Sequence, residues 1–111
     1  MTDSILNTIK KKIGISEDDT CFDEDVLTEI NTACSFLSQL GVTSFDNFTV
    51  CDSSNTWDEC ISDRAKLADI KTYIYIYTKL NFDPPTNSFL VQLLKDQFKE
   101  CEWRINVAVD P

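Results

Sequence analysis

The sequence predicts an all-α fold: a small bundle of about four main helices plus a short helix, one long irregular loop with room for a short strand or hairpin, and an extended C-terminal tail. Three observations predict it. Apolar residues recur at three- and four-residue spacing in four separate stretches, the period of a helix face. With only 2 Gly and 3 Pro the chain has few places to turn, which favours helices joined by polar loops. The strand-like run Asn47-Phe48-Thr49-Val50-Cys51 has no second strand to pair with.

The first helix opens at Asp3 or Ser4, both good N-caps, and runs to about Lys12. Ile5, Leu6, Ile9 and Ile13 share one face, Lys10, Lys11 and Lys12 suit the carbonyl end of the dipole, and Gly14 is the C-cap signal. The second helix spans Asp23 to Leu40 on the stripe Val26, Leu27, Ile30, Ala33, Cys34, Leu37 and Leu40, with Gly41 as its stop. Residues 42–56 form the long loop, a length that is often functional. Thr56 with Glu59 resembles a capping box that opens a short helix through Trp57, Cys60 and Ile61.

Residues 63–81 hold Thr72-Tyr73-Ile74-Tyr75-Ile76-Tyr77, which alone has strand propensity. The longer window decides for a helix, because Leu67, Ile70, Ile74 and Tyr77 keep helical spacing, with Asp63 as the N-cap candidate and Lys66, Lys71 and Lys79 outward. Phe82-Asp83-Pro84-Pro85-Thr86 breaks it, since a residue before Pro is pushed towards extended geometry. The last helix opens near Thr86, Asn87 or Ser88 and carries Phe89, Leu90, Leu93, Leu94, Phe98, Cys101 and Ile105 as its apolar stripe. Residues 103–111 are expected to leave it as an extended docking tail.

The length of 111 residues predicts one domain over 1–111, which at this size buries roughly 65% of its unfolded surface. Acids outnumber bases 19 to 10, so a formal charge of −9 argues against attraction to duplex DNA or anionic lipid. The acid excess is front-loaded: residues 1–50 hold 9 acids and 3 bases, residues 51–111 hold 10 and 7. His is absent, which removes the usual general base and the commonest transition-metal ligand. Nucleases, zinc enzymes and Ser/Cys–His hydrolases are thereby disfavoured. The five cysteines, Cys21, Cys34, Cys51, Cys60 and Cys101, contain no CxxC pair; with no basic leader at the start, they read as reduced thiols of a cytosolic, soluble protein. No apolar run approaches the ~20 residues of a membrane span.

The acidic run around Glu17, Asp18, Asp19, Asp23, Glu24 and Asp25 fails as a calcium loop, because Cys21 and Phe22 fall where a ligand and a Gly are needed. These carboxylates instead solvate a loop and favour the start of the second helix. No Gly-rich phosphate loop and no nucleophile–base pairing is present, so no enzyme, no cofactor and no metal is predicted. Two groups point to partners. Tyr73, Tyr75 and Tyr77 spread round a helix and suit core packing plus a subunit interface. The segment Glu102-Trp103-Arg104-Ile105-Asn106-Val107-Ala108-Val109 pairs hot-spot residue types with an apolar end.

Taken in order, the acidic loop, the long polar loop, Lys71-Thr72-Tyr73-Ile74-Tyr75, Phe82-Asp83-Pro84-Pro85-Thr86, Glu102-Trp103-Arg104-Ile105-Asn106 and Val109-Asp110-Pro111 resemble the small head–tail connector (adaptor, or head-completion) proteins of tailed bacteriophages. The likeness covers essentially the whole chain. It implies a structural virion protein of the neck, made in the host bacterial cytoplasm, that forms a ring, typically a dodecamer, below the portal. Such a ring extends the DNA channel, lets DNA pass its lumen without specific binding, and docks a stopper or tail-completion protein. By the same analogy Trp103, Arg104, Ile105, Asn106, Val107, Ala108, Val109, Asp110 and Pro111 bind the portal. Phe45, Asp46, Asn47, Phe48, Thr49 and Asp52 then face ring neighbours, the lumen or the stopper. A competing class is a small acidic phage-encoded interaction module that mimics DNA to inhibit a host protein.

Overall fold

Four helices, in chain order α1 (Ile5–Lys12), α2 (Asp23–Gln39), α3 (Arg64–Phe82) and α4 (Ser88–Val109), make up the regular structure of a computed structural model of the chain. It describes residues 4–16, 18–42, 45, 48–57, 64–82 and 85–109, with the side chains of 64–67 and of 108 and 109 outside the description. No strand occurs among the described residues; one isolated antiparallel bridge joins Ser4 to Thr56.

Local chemistry sets the helix ends. Ser4, in extended geometry, accepts the Asn7 N–H on its hydroxyl at 3.2 Å and so caps α1. Both α1 and α2 finish in a Schellman motif. Gly14 at φ 89° and Gly41 at φ 104° take the left-handed position. The N–H groups of Ile15 and Val42 reach back to the carbonyls of Lys10 and Leu37 at 2.8 and 3.1 Å. A residue with a Cβ is strained at these φ values, and these are the only two glycines in the chain. Asn87 opens α4, accepting the Phe89 N–H at 2.8 Å.

The strand-like tyrosine segment is helical. Ile70, Tyr73, Ile74 and Ile76 are all buried in α3, and α3 packs against both α2 and α4. Burial on several sides offsets the weak helix propensity of aromatic and β-branched residues. The five-residue connection at 83–87 folds α4 back along α3, and this antiparallel hairpin sets Phe98 beside Tyr73 and Tyr77, and Arg104 beside Asp69. The core is one cluster, with Ile5, Leu6 and Ile9 from α1, Val26, Ile30 and Leu37 from α2, Ile70 and Ile74 from α3, and Cys101 and Ile105 from α4. Phe45, Val50 and Trp57 of the loop complete it.

Three expectations need adjusting. The segment after Trp103 is not extended, because α4 continues to Val109; nothing between Ser88 and Val109 is a Pro or Gly that would stop it. Residues 48–51 form no strand, and Val50 instead pairs with a side chain of α2. Beside the carbonyl end of α1, where the sequence places it, Lys10 is 1% exposed and meets Asp23 at 2.7 Å, tying α1 to the first turn of α2. Phe89, Leu90 and Leu93 of the expected α4 core stripe lie outside, while Cys101 and Ile105 lie inside. Of the short helix expected after Thr56, Cys60 and Ile61 fall outside the described residues, as do Glu59 and the cap candidate Asp63.

Candidate functional site

The last helix carries the most informative surface. At 100° per residue, Leu94, Phe98, Cys101 and Ile105 fall on one side of α4, and this side packs on α3. Phe89, Leu93, Trp103 and Val107 fall on the opposite side and stay in solvent, with Phe89 68% and Trp103 66% exposed. An amphipathic surface helix carries polar residues on the face away from its core. Here that outer face is apolar at both ends and charged in the middle, where Asp96, Glu100 and Arg104 sit.

Within the expected portal-binding segment, Trp103, Asn106 and Val107 are exposed and Ile105, at 4% exposure, belongs to the core. Arg104 is engaged inside the chain, 2.7 Å from Glu100 and 3.9 Å from Asp69. Ala108 and Val109 close the helix; Asp110 and Pro111 lie outside the described residues.

The expected contact loop divides in two. Phe45 is buried and Phe48 half-buried, their rings edge to face at 5.8 Å, so these aromatics anchor the loop. Thr49 and Asp52 face solvent, and Asp46 and Asn47 lie outside the described residues. The Asp52 carboxylate accepts the Ser54 hydroxyl and N–H, which holds its pKa below the usual value. Asn55 accepts the Cys51 N–H at 2.8 Å and its carbonyl receives the Ile5 N–H at 3.0 Å, fixing the loop's far end to α1. Trp57, buried beneath Lys71, donates its indole N–H to the Thr8 hydroxyl at 3.2 Å.

The three tyrosines serve different neighbours. Tyr73 is 1% exposed and stacks on Phe98 at 4.5 Å, which keeps it inside the subunit. Tyr77 meets Phe36 edge to face at 5.5 Å, and Tyr75 lies under the Lys12 ammonium at 5.7 Å. Burial pushes the Tyr73 hydroxyl well above its ordinary pKa, helped by the nearby Glu102, and burial with Glu29 raises Tyr77. Tyr75 and Tyr77 are half-buried. Beside them a cleft of about 380 Å³ opens between α2, α3 and α4, lined by Phe36, Gln39, Leu40, Tyr73, Phe98 and Glu102.

No cluster of three or more His, Cys, Asp or Glu able to hold a metal occurs among the described residues. No helix among them is long and apolar enough to cross a membrane. The described residues thus combine an outward apolar helix face, a braced loop and a cleft with a carboxylate on its wall.

The model of the family described as phage connector protein matches residues 5–111. The chain belongs to the phage connector protein family. Nothing among the curated proteins or the solved structures matches it. Connector proteins are structural proteins of the head–tail junction and associate with other head and tail proteins of the phage. Within this connector the outer face of α4 escaped sequence reasoning. Its signal was available: Phe89, Leu93 and Val107 sit within 40° of one another on a helical wheel, far from Cys101 and Ile105.

Proposed function

We propose that this connector is a head–tail adaptor. One helical domain over residues 1–111 forms a ring, dodecameric by analogy, beneath the portal; it extends the DNA channel and presents a surface to the stopper or tail-completion protein. The observation that carries this reading is the exposed Trp103 and Val107 on a helix whose other side is already occupied by α3. Trp is among the residue types most enriched at binding hot spots, and an apolar helix face fits a groove on a partner. The portal is assigned to this end of α4, together with the terminal Asp110 and Pro111. The loop surface at Thr49 and Asp52, with Tyr75 and Tyr77, is assigned to neighbouring copies or the stopper.

The front-loaded acidity has a physical use in this setting. A wall that DNA crosses quickly must not hold phosphates, and exposed carboxylates such as Asp18, Glu24 and Asp25 repel them. Acids outnumbering bases on the inward surface of the assembled ring is the expected result, and a basic lumen seen in a map of the neck would refute it.

The test of portal docking must spare Ile105, which the core needs. Trp103→Ser combined with Val107→Asp is expected to abolish binding to purified portal rings while leaving the helical circular-dichroism spectrum and melting temperature unchanged. Undiminished portal binding by that variant would remove the assignment.

A further inference from the structure

Among the described residues, α4 is the least anchored of the four helices. No side chain from Ser88 to Glu100 is buried. Its two core residues, Cys101 and Ile105, keep 8% and 4% exposure, whereas every core residue within α1, α2 and α3 is at 2% or less. The first two helices pack on each other and on α3, but α4 packs closely on α3 alone. Towards α2 it stands off, leaving the cleft with Phe36, Gln39 and Leu40 on one side and Phe98 and Glu102 on the other.

The side-chain ties from α4 to α3 are weak. Phe98 stacks on Tyr73 at 4.5 Å and reaches Tyr77 at 6.1 Å. Arg104 meets Asp69 at 3.9 Å with both side chains exposed, and a pair of that kind contributes little. The rest of the molecule is braced without them. The buried Lys10–Asp23 pair joins α1 to α2, Asn31 holds Val50, and Asn55 and Trp57 fasten the loop to α1. None of these contacts involves α4.

We infer that α4 is a separable arm: it leaves α3 in an opening during which α1, α2, α3 and the braced loop stay folded. Proteins open in cooperative units, and the units that open first are those with few buried apolar contacts. Departure of α4 uncovers Tyr73 and Cys101, while Val26, Ile30 and Leu37 stay enclosed by α1 and α3. Nothing in this opening depends on the adaptor reading above. Phe89 and Trp103 ride on the same arm, so a partner that grips its outer face acts on the element that costs least to move. A difference in that partner's affinity for the seated and the open arm shifts their populations.

The chain's own cysteines report the opening. Cys101 lies where α4 meets the core, and Cys34, 1% exposed on α2, lies in the part that stays closed. The full chain is alkylated with N-ethylmaleimide under native conditions, and each site is followed by mass spectrometry and normalised to its rate in the urea-unfolded chain. Cys101 is expected to react about a hundredfold faster than Cys34. Urea below the unfolding transition is expected to speed Cys101, though less steeply than Cys34, because the opening exposes less surface than global unfolding. Asp23→Ala weakens only the part that stays folded, so it is expected to speed Cys34 about tenfold or more and to leave Cys101 unchanged. Equal rates at the two thiols in wild type, or equal acceleration of both by Asp23→Ala, overturns the separable arm, since both thiols then react through global unfolding. A Cys101 rate indifferent to urea overturns it as well, because the thiol is then reached without any opening. Where Asp23→Ala does not fold, the wild-type rates and their urea dependence decide.

Discussion

Asn31 and Val50 form a two-hydrogen-bond pair in which a side chain on α2 takes the place of a neighbouring strand: the Asn31 Nδ2 donates to the Val50 carbonyl at 3.0 Å, and its Oδ1 accepts the Val50 N–H at 2.8 Å. Val50 is 1% exposed, so its backbone groups depend on this partner to balance their lost water. An Asn offers one donor and one acceptor at the spacing of a peptide group, and Asp or Leu does not. Asn31→Leu is expected to cost about 2–3 kcal/mol and to speed hydrogen exchange at the Val50 amide far more than at amides in α3. If the Val50 amide stays as protected as before, the loop is held by its aromatics alone.

The Lys10–Asp23 pair predicts an asymmetry. Lys10 is nearly inaccessible, while the Asp23 side chain is 27% exposed. Removing the carboxylate leaves a desolvated ammonium without its 2.7 Å counter-charge, whereas Lys10→Met keeps the stem's packing and returns Asp23 to water. Asp23→Ala is expected to destabilise by about 2–4 kcal/mol in urea titrations, and Lys10→Met by clearly less. Equal losses would mean that packing of the Lys10 stem outweighs its charge.

Opposite faces of α4 predict opposite outcomes for neighbouring substitutions. Ile105→Ala opens space beside Cys101 and is expected to cost about 2–4 kcal/mol, while Trp103→Ala stays within about 0.5 kcal/mol despite removing a larger side chain. Denaturant midpoints of the two variants decide it; a large loss for Trp103→Ala would place that ring against the chain's own core.

The phenols give a pH dependence with a definite sign. Tyr73 and Tyr77 have raised pKa values, through burial first and nearby carboxylates second, so the folded state holds their protons more tightly than the unfolded chain does. Their contribution is fully present below about pH 10, the unfolded value, and is lost as pH rises beyond it, with the buried Tyr73 carrying more of it than the half-buried Tyr77. Melting temperatures from pH 9 to 11 are expected to fall, and less steeply in Tyr73→Phe. A Tyr73→Phe protein with the wild-type slope would show that Tyr73 does not contribute to it.

Helix ends and the densest stripe were legible because they are local. Ser4, Gly14 and Gly41 act through their own backbone geometry, and Val26, Ile30, Ala33 and Leu37 repeat without interruption. The tyrosine segment was legible only over a window longer than its strand-like centre. Long-range pairings left no trace: nothing about Asn31 announces a loop residue 19 positions away, and Lys10 reads like its neighbours Lys11 and Lys12 until Asp23 is seen beside it. The α4 stripe misled because apolar residues continue most of the way round the helix at its amino-terminal end, so spacing alone merged two faces into one. Which partner covers the outer face of α4 depends on molecules outside the chain, and residue spacing within it carries no sign of that.

The continuity of α4 has a mechanical consequence. Twenty-two residues without a break make a rod about 33 Å long, and its Cys101–Ile105 side is clamped to the core. Phe89 at one end and Trp103 at the other therefore cannot shift independently. A push received at one tip is delivered to the other with little slack, as through a strut, and a hinge placed between them, such as a double glycine at Asp96 and Gln97, would uncouple the two ends without touching either.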